Sequence, residues 1–308
     1  MAEAAVEERT RAIGEELLAD LERYRPRAAE RMQDWLLTDA LADDAFRGRM
    51  LRFIDVFATV ETTGDAEELH RLLREYFPPG LPHVPRALRW LLRIARDPLL
   101  PSTALLEATR RAVALFARRF IADPDPRAMG GLLDELQSAG RLPSLDLLGE
   151  AVLSEREADA YEARYRRLLG DLAAHPLAGT ATRAGDPALQ VSLKLSSLTY
   201  RFTPVDLDGS VARVAPRLER IADAARAAGV GICVDAEQYE TRDVVWAAWQ
   251  RTFSAGGPHA DWRGAGMVVQ AYLRDADRHL DAVIDAAHRR GVPFQVRLVK
   301  GAYWDYET

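Results

Sequence analysis

The sequence predicts an α/β protein: an incomplete (β/α)8 barrel of the TIM type, with about five strands, preceded by an all-α N-terminal domain. Three observations carry this expectation. From Leu142 onward, short apolar runs alternate with long amphipathic helices, a rhythm that implies right-handed crossovers and a parallel sheet. Within the runs, one parity is apolar throughout: Leu193 and Leu195; Ile232 and Val234; Met267, Val269 and Ala271; Phe294, Val296 and Leu298. The other parity turns polar toward each carboxyl end: Ser192, Lys194 and Ser196; Cys233 and Asp235; Val268 and Gln270; Gln295 and Arg297. A doubly wound sheet is covered by helices on both faces and is apolar on both. A barrel has one helix-facing side and one interior side, with its chemistry at the carboxyl ends of the strands.

Residues 1–141 read as the helical domain. Val6, Ile13, Leu17, Leu18 and Leu21 fall at helical spacing within Ala2 to Tyr24, and Leu51, Ile54, Val56 and Phe57 continue the pattern. Asp65 to Phe77, Pro85 to Ala95 and Thr103 to Ile121 repeat it, with prolines between the segments. No catalytic cluster stands out here, and the region reads as a scaffold or an oligomerisation arm. Residues 142–308 hold the strand–helix units. Leu145 to Leu148 precedes a helix over Ser154 to His175, whose start is set by the capping box Ser154-x-x-Glu157. Gln190 to Leu198, Gly231 to Ala236, Gly266 to Tyr272 and Phe294 to Val299 are the next strands, separated by helices over 207–228, from 241, and over 276–290. A complete barrel needs eight strands and about 250 residues. Five strands leave two open edges, so the count predicts the front part of a longer protein.

Composition narrows the function. Hydrophobic residues make up 48% of 308, enough for a substantial core, and the net charge of −6 argues against a general nucleic-acid binder. A single cysteine, Cys233, rules out an internal disulfide and points to a reducing compartment, the cytoplasm. No apolar run approaches the ~18 residues of a membrane span. Peripheral contact at the inner membrane face and self-association into a homo-oligomer are left open. The histidines lack metal-ligand spacing, and no G-x-G-x-x-G or P-loop occurs.

The chemistry-bearing stretch is the last one. Phe294 to Val299 places an arginine on the interior parity, and Lys300, Gly301, Ala302, Tyr303 and Trp304 then leave the strand end. Lysine occurs only at Lys194 and Lys300, both at the carboxyl ends of strand-like runs. Lysine offers a compact ammonium whose pKa responds to burial, which arginine cannot supply. Two readings follow from the residues alone: a Schiff-base lyase or aldolase using one of these lysines near Asp235, or a non-catalytic helical scaffold.

A third reading comes from motifs. V-S-L-K-L-S-S-L at 191–198, I-C-V-D-A-E at 232–237, V-V-Q-A-Y at 268–272, V-R-L-V-K-G-A-Y-W-D at 296–305 and D-L-L-G-E-A at 146–151 resemble the proline dehydrogenase family, in its bifunctional branch. The resemblance implies a distorted barrel holding FAD. It implies oxidation of L-proline to Δ1-pyrroline-5-carboxylate, with electrons passed to a quinone. A downstream aldehyde dehydrogenase domain would use NAD to complete catabolism to glutamate. Carried over residue by residue, Arg297 lies at the flavin. Gln270, Val299, Lys300, Gly301, Ala302 and Trp304 complete the cofactor contacts. Lys194, Asp235 and Tyr303 form the substrate pocket, with Lys194 and Asp235 as an ion pair and Asp146 and Glu150 behind them. In the family, paired arginines from the final helix hold the substrate carboxylate; that helix is expected beyond Thr308. The chain alone is therefore expected to bind FAD poorly and to turn over no proline.

Overall fold

The computed structural model describes residues 2–23, 43–63, 66–81, 84, 86–95, 101–117, 121–122, 125–149, 151–303 and 307. These form two compact units, Met1–Ile121 and Ala122–Thr308. The first is helical: α1 (Ala2–Arg23), α2 (Asp44–Thr63), α3 (Ala66–Tyr76), α4 (Arg86–Ala95) and α5 (Ser102–Ala117). Phe46, Phe53, Phe57, Leu69, Leu72, Leu73, Phe77 and Leu105 make its core, with Phe53 edge-on to Phe77 at 5.2 Å. The apolar side chains of α1, Val6, Ile13, Leu17, Leu18 and Leu21, are exposed. Among the described residues no helix is long and apolar enough to cross a membrane.

The second unit begins earlier than the sequence boundary at 141/142 suggests. Helix α6 (Pro126–Ser138) belongs to it. Asp125 caps this helix by accepting from the Arg127 and Ala128 amides, Pro126 opens the first turn, and Met129 and Leu133 are buried in the sheet-side core. Composition marks a linker at Pro124–Pro126, but only packing assigns the helix after it to one side.

Five parallel strands follow in the order β1 (Ser144–Asp146), β2 (Gln190–Leu193), β3 (Gly231–Val234), β4 (Ala265–Gln270) and β5 (Gln295–Val299). The helices between them are α7 (Glu155–Ala173), α8 (Leu207–Ala228), α9 (Arg242–Phe253) and α10 (Ala276–Arg290). Ser154 accepts from the Glu157 amide at 3.3 Å, while the Glu157 carboxylate reaches back to the Leu153 amide at 2.8 Å. Leu193, Ile232, Val234, Met267 and Val269 pack into one core with α8 and α9. Val296 and Leu298 share that parity but are exposed.

The strands are shorter than alternation suggests. β2 stops at Leu193, and Leu195–Leu198 coil into a 3-10 turn. The Lys194 amide donates to the Tyr165 hydroxyl at 3.4 Å, and the Ser197 hydroxyl donates to the Lys194 carbonyl at 2.7 Å. Side-chain partners replace the ladder there. Leu195 and Ala271, expected on strands, lie beyond their ends.

The sheet is strongly curled. Three strand spacings separate β2 from β5, about 14 Å if the sheet were flat. Yet the Arg297 guanidinium donates to Ser192 at 2.9 Å, and the Gln190 and Gln295 carboxamides are in contact. Only a sheet bent toward its interior parity allows these contacts, which is the geometry of a barrel segment.

Helix α8 ends on Gly229 at φ +67°, with the Val230 amide on the Ala225 carbonyl at 3.0 Å. A Cβ there would meet the Gly179 backbone nitrogen at 2.4 Å, whereas one at Gly291, φ +71° at the end of α10, meets nothing within 4 Å. Gly291→Ala should cost about 1 kcal/mol for its backbone conformation alone. Gly229→Ala should cost at least about twice that, since the neighbouring backbone must shift as well. Thermal unfolding of the two variants checks the ordering; equal losses would contradict it.

Candidate active site at the strand ends

The register builds the site in layers. Ser192 is level with Cys233, Cys233 with Gly266, and Gly266 with Gln295. Two residues further along, Val268 pairs with Arg297, and Gln270 with Val299 above them. Asp146 at the end of β1 is level with Ser192. Period-two alternation sends all of these to the interior face, so five strand ends deliver polar groups to one mouth.

There they form a connected cluster. The Lys194 ammonium lies 2.7 Å from Asp146 Oδ2 and 3.4 Å from Asp235 Oδ2. Arg297 bonds the other oxygen of Asp235 through Nη2 and Ser192 through Nη1. Asp235 is therefore clamped between two cations, one on each oxygen. The pair expected from sequence, Lys194 with Asp235, is present, but the shorter contact of Lys194 is to Asp146, which the sequence places one step further back.

Burial pulls the Lys194 ammonium down, but its hydrogen bond to Asp146 and the charges of Asp235 and Asp146 outweigh this and leave its pKa above the ordinary lysine value. Burial pushes the Asp235 carboxyl up, against the opposing pull of Arg297 and Lys194. With a cation on each oxygen, we take Asp235 as a carboxylate at neutral pH. Burial raises the Cys233 thiol to about 12, making it an inert packing group. A Schiff-base nucleophile needs a lowered pKa so that its amine is free. Lys194 is shifted the opposite way, which removes the basis for assigning it to aldolase chemistry.

Above this layer, the Gln270 amide donates to the carbonyls of Glu237 at 3.0 Å and Ala236 at 3.4 Å. Its donors thus tie β4 to the loop after β3, rather than standing ready for a ligand as the sequence suggests. The ladder between β4 and β5 continues past the strands, with Ala271 N–H on Val299 O at 2.7 Å and Tyr272 N–H on Lys300 O at 2.9 Å. Gly301 follows at φ +141°, and a Cβ on it would fall inside the Tyr272 ring. The glycine is required by that protein ring. Ala302 is exposed and Tyr303 is half-buried. Trp304 and Glu150 lie outside the described residues.

Sequence reasoning did not single out Tyr165, Glu237, Tyr272 or Glu307. The buried Glu237 carboxylate accepts from the Ser196 amide at 3.1 Å. The Glu307 carboxylate bonds the Tyr272 hydroxyl and the Tyr239 amide. Tyr165, Glu237 and Glu307 lie outside the expected strands, so parity could not mark them; Tyr272 closes the expected strand 266–272 on the interior parity, but parity does not show its partner. Ser192 was visible on the interior parity, but its partner three strands away was not.

A family model for proline dehydrogenase matches residues 132–308, and one for the proline utilization A N-terminal domain matches residues 7–120. The bifunctional protein PutA of Escherichia coli (strain K12) is 32% identical over 176 residues, 56% of this chain and 13% of that protein. Proline dehydrogenase 1 of Bacillus subtilis (strain 168) is 26% identical over 189 residues, covering 61% of this chain and 53% of that protein. Among solved structures, proline utilization A from Bdellovibrio bacteriovorus inactivated by N-propargylglycine aligns at 27% identity with a TM-score of 0.73, over 96% of this chain and 29% of that one. The chain thus spans a small part of the PutA proteins it matches. With a family match over more than half of its length and a curled parallel sheet carrying its polar groups at one mouth, the chain belongs to the proline dehydrogenase family.

Proposed function

We propose that this chain supplies the strand-end half of a site that oxidises L-proline to Δ1-pyrroline-5-carboxylate, in the catabolism of proline to glutamate, with FAD as electron acceptor. The observation that carries the reading is the Asp146–Lys194–Asp235–Arg297 cluster at the mouth of the barrel segment of a proline dehydrogenase family member. Its formal charges balance, two cations against two carboxylates, and a balanced polar site suits a zwitterionic amino acid better than a strongly charged anion. In this reading Lys194, Asp235 and Tyr303 contact proline. Arg297, Val299, Lys300, Gly301, Ala302 and Trp304 hold the cofactor, and Gln270, its donors spent on the loop after β3, contacts it only as an acceptor.

The described residues fit a flavin. Its electron-rich ring calls for a fixed positive charge on an already oriented group. The Arg297 guanidinium is tied at Nη1 and Nη2 to Ser192 and Asp235, yet its side chain is 36% exposed. Bound FAD would supply a two-electron acceptor, so that the ring C–N bond of proline becomes C=N as two electrons and two protons leave. The protein's part is orientation and charge. Asp235 fixes both cations, and Asp146 keeps Lys194 protonated. A quinone as second acceptor, a further NAD-dependent aldehyde dehydrogenase domain, and self-association or contact at a membrane face complete the proposal for the whole protein.

The test uses the protein purified as its gene encodes it. Adding proline without oxygen should bleach the yellow flavin absorbance; a colourless protein, or a yellow one that proline leaves unchanged, contradicts the reading. Arg297→Met should slow this bleaching by about a hundredfold or more, the scale of losing one oriented charge. A rate near that of the wild type would remove Arg297 from its assigned place.

The lysine gives a stability prediction with a definite sign. A raised folded pKa means that the Lys194 contribution is fully present below the unfolded value of about 10.4 and fades as pH rises through the folded one. Lys194→Met should be less stable by about 2–4 kcal/mol at neutral pH, since Asp146 loses its cation and Asp235 keeps only Arg297. The gap to wild type should hold roughly constant between about pH 7 and 9 and narrow above about pH 10. Denaturant titrations across that range measure it, and a gap that widens with pH would contradict the assignment.

A further inference from the structure

We propose that Tyr272 and Glu307 are positioning residues, which together fix the backbone of Lys300–Tyr303 over the strand ends; their functional consequence rests on the reading given above. Neither is among the residues assigned to cofactor or substrate. Three contacts converge on them. The Tyr272 ring fills the space a Cβ of Gly301 would take, so the loop's glycine packs directly against that ring. The Tyr272 hydroxyl donates to one oxygen of Glu307, and the Tyr239 amide donates to the other. The Glu307 amide bonds the Tyr303 carbonyl at 2.9 Å. One carboxylate thus joins the segments that follow β3, β4 and β5. Its β3 partner is itself anchored: Arg242 lies 4.8 Å over the Tyr239 ring and 2.7 Å from Asp275, whose other oxygen is 3.5 Å from the Tyr239 hydroxyl.

The chemistry favours a fixed loop over a free one. A glycine at φ +141° has wide conformational freedom. Holding it costs entropy unless neighbours restrict it, and the ring and carboxylate are protein groups placed to do so. A loop ordered in advance loses less on binding, so the pair acts on ligand retention rather than on the reacting atoms.

Tyr272→Phe, Glu307→Ala and the double variant test this in the protein purified as its gene encodes it. Tyr272→Phe keeps the ring under Gly301 and removes only the hydroxyl. Amide hydrogen exchange at 300–303 should quicken about fivefold in Tyr272→Phe, the scale of one net hydrogen bond, and at least as much in Glu307→Ala, which also loses the Tyr239 amide. The double variant should match Glu307→Ala, since the one contact that Tyr272→Phe removes is already cut there. FAD release on dilution should quicken by a similar factor, and KM for proline should rise with kcat nearly unchanged. Unaltered exchange in both single variants, or effects that multiply in the double, would overturn the proposal. If the wild-type protein neither holds FAD nor oxidises proline, the functional reading fails by itself, while the exchange measurements still decide whether the pair fixes the loop.

Discussion

The contact on which the rest depends is the reach of Arg297 across the sheet to Ser192 and Asp235. It joins the fifth strand to the second and third through the interior. Without curvature those side chains are separated by more than an arginine can span. With it, the carboxyl ends of all five strands converge, and a single arginine both closes the interior and orients the carboxylate that Lys194 shares. Fold and site are therefore the same arrangement seen at two scales: the parity that makes one face apolar enough to hold helices leaves the other free to collect charge.

That collection is costly in isolation. Two carboxylates and two cations at the end of a partly buried sheet each lose hydration, and a buried ion pair rarely repays this by attraction alone. Here three of the four charges have more than one partner. Asp235 meets a cation on each oxygen, Lys194 has two carboxylates, and Arg297 adds a hydroxyl. A cluster of this kind restricts the side chains it joins, which suits the cofactor site proposed above, where the protein's part is orientation.

Much of this was legible in the sequence, and the parts that were not share a cause. Alternation along Gln190–Leu193, Ala265–Gln270 and Gln295–Val299 assigns each residue to a face, because strand period is a local property. It placed Lys194, Asp235, Gln270 and Arg297 together. It could not stop β2 at Leu193, since that end is set by hydroxyls of Tyr165, 29 residues earlier in the chain, and Ser197. It could not show that the donors of Gln270 are taken by the loop after β3. Nor could it say that Gly301 answers to the Tyr272 ring, because that contact joins segments following two different strands. The helix α6 was misallotted for the same reason: the linker before it is visible in composition, while the burial of Met129 and Leu133 is not.

The most direct measurement is an experimental structure of the flavin-loaded protein with a proline-like carboxylic acid in place. This account predicts the isoalloxazine at the carboxyl ends of β4 and β5, within hydrogen-bond distance of Arg297, with Arg297 still bonded to Asp235 and the acid against Lys194. A flavin seated elsewhere, or an Arg297 swung away from Ser192 and Asp235 with the sheet opened, would contradict it.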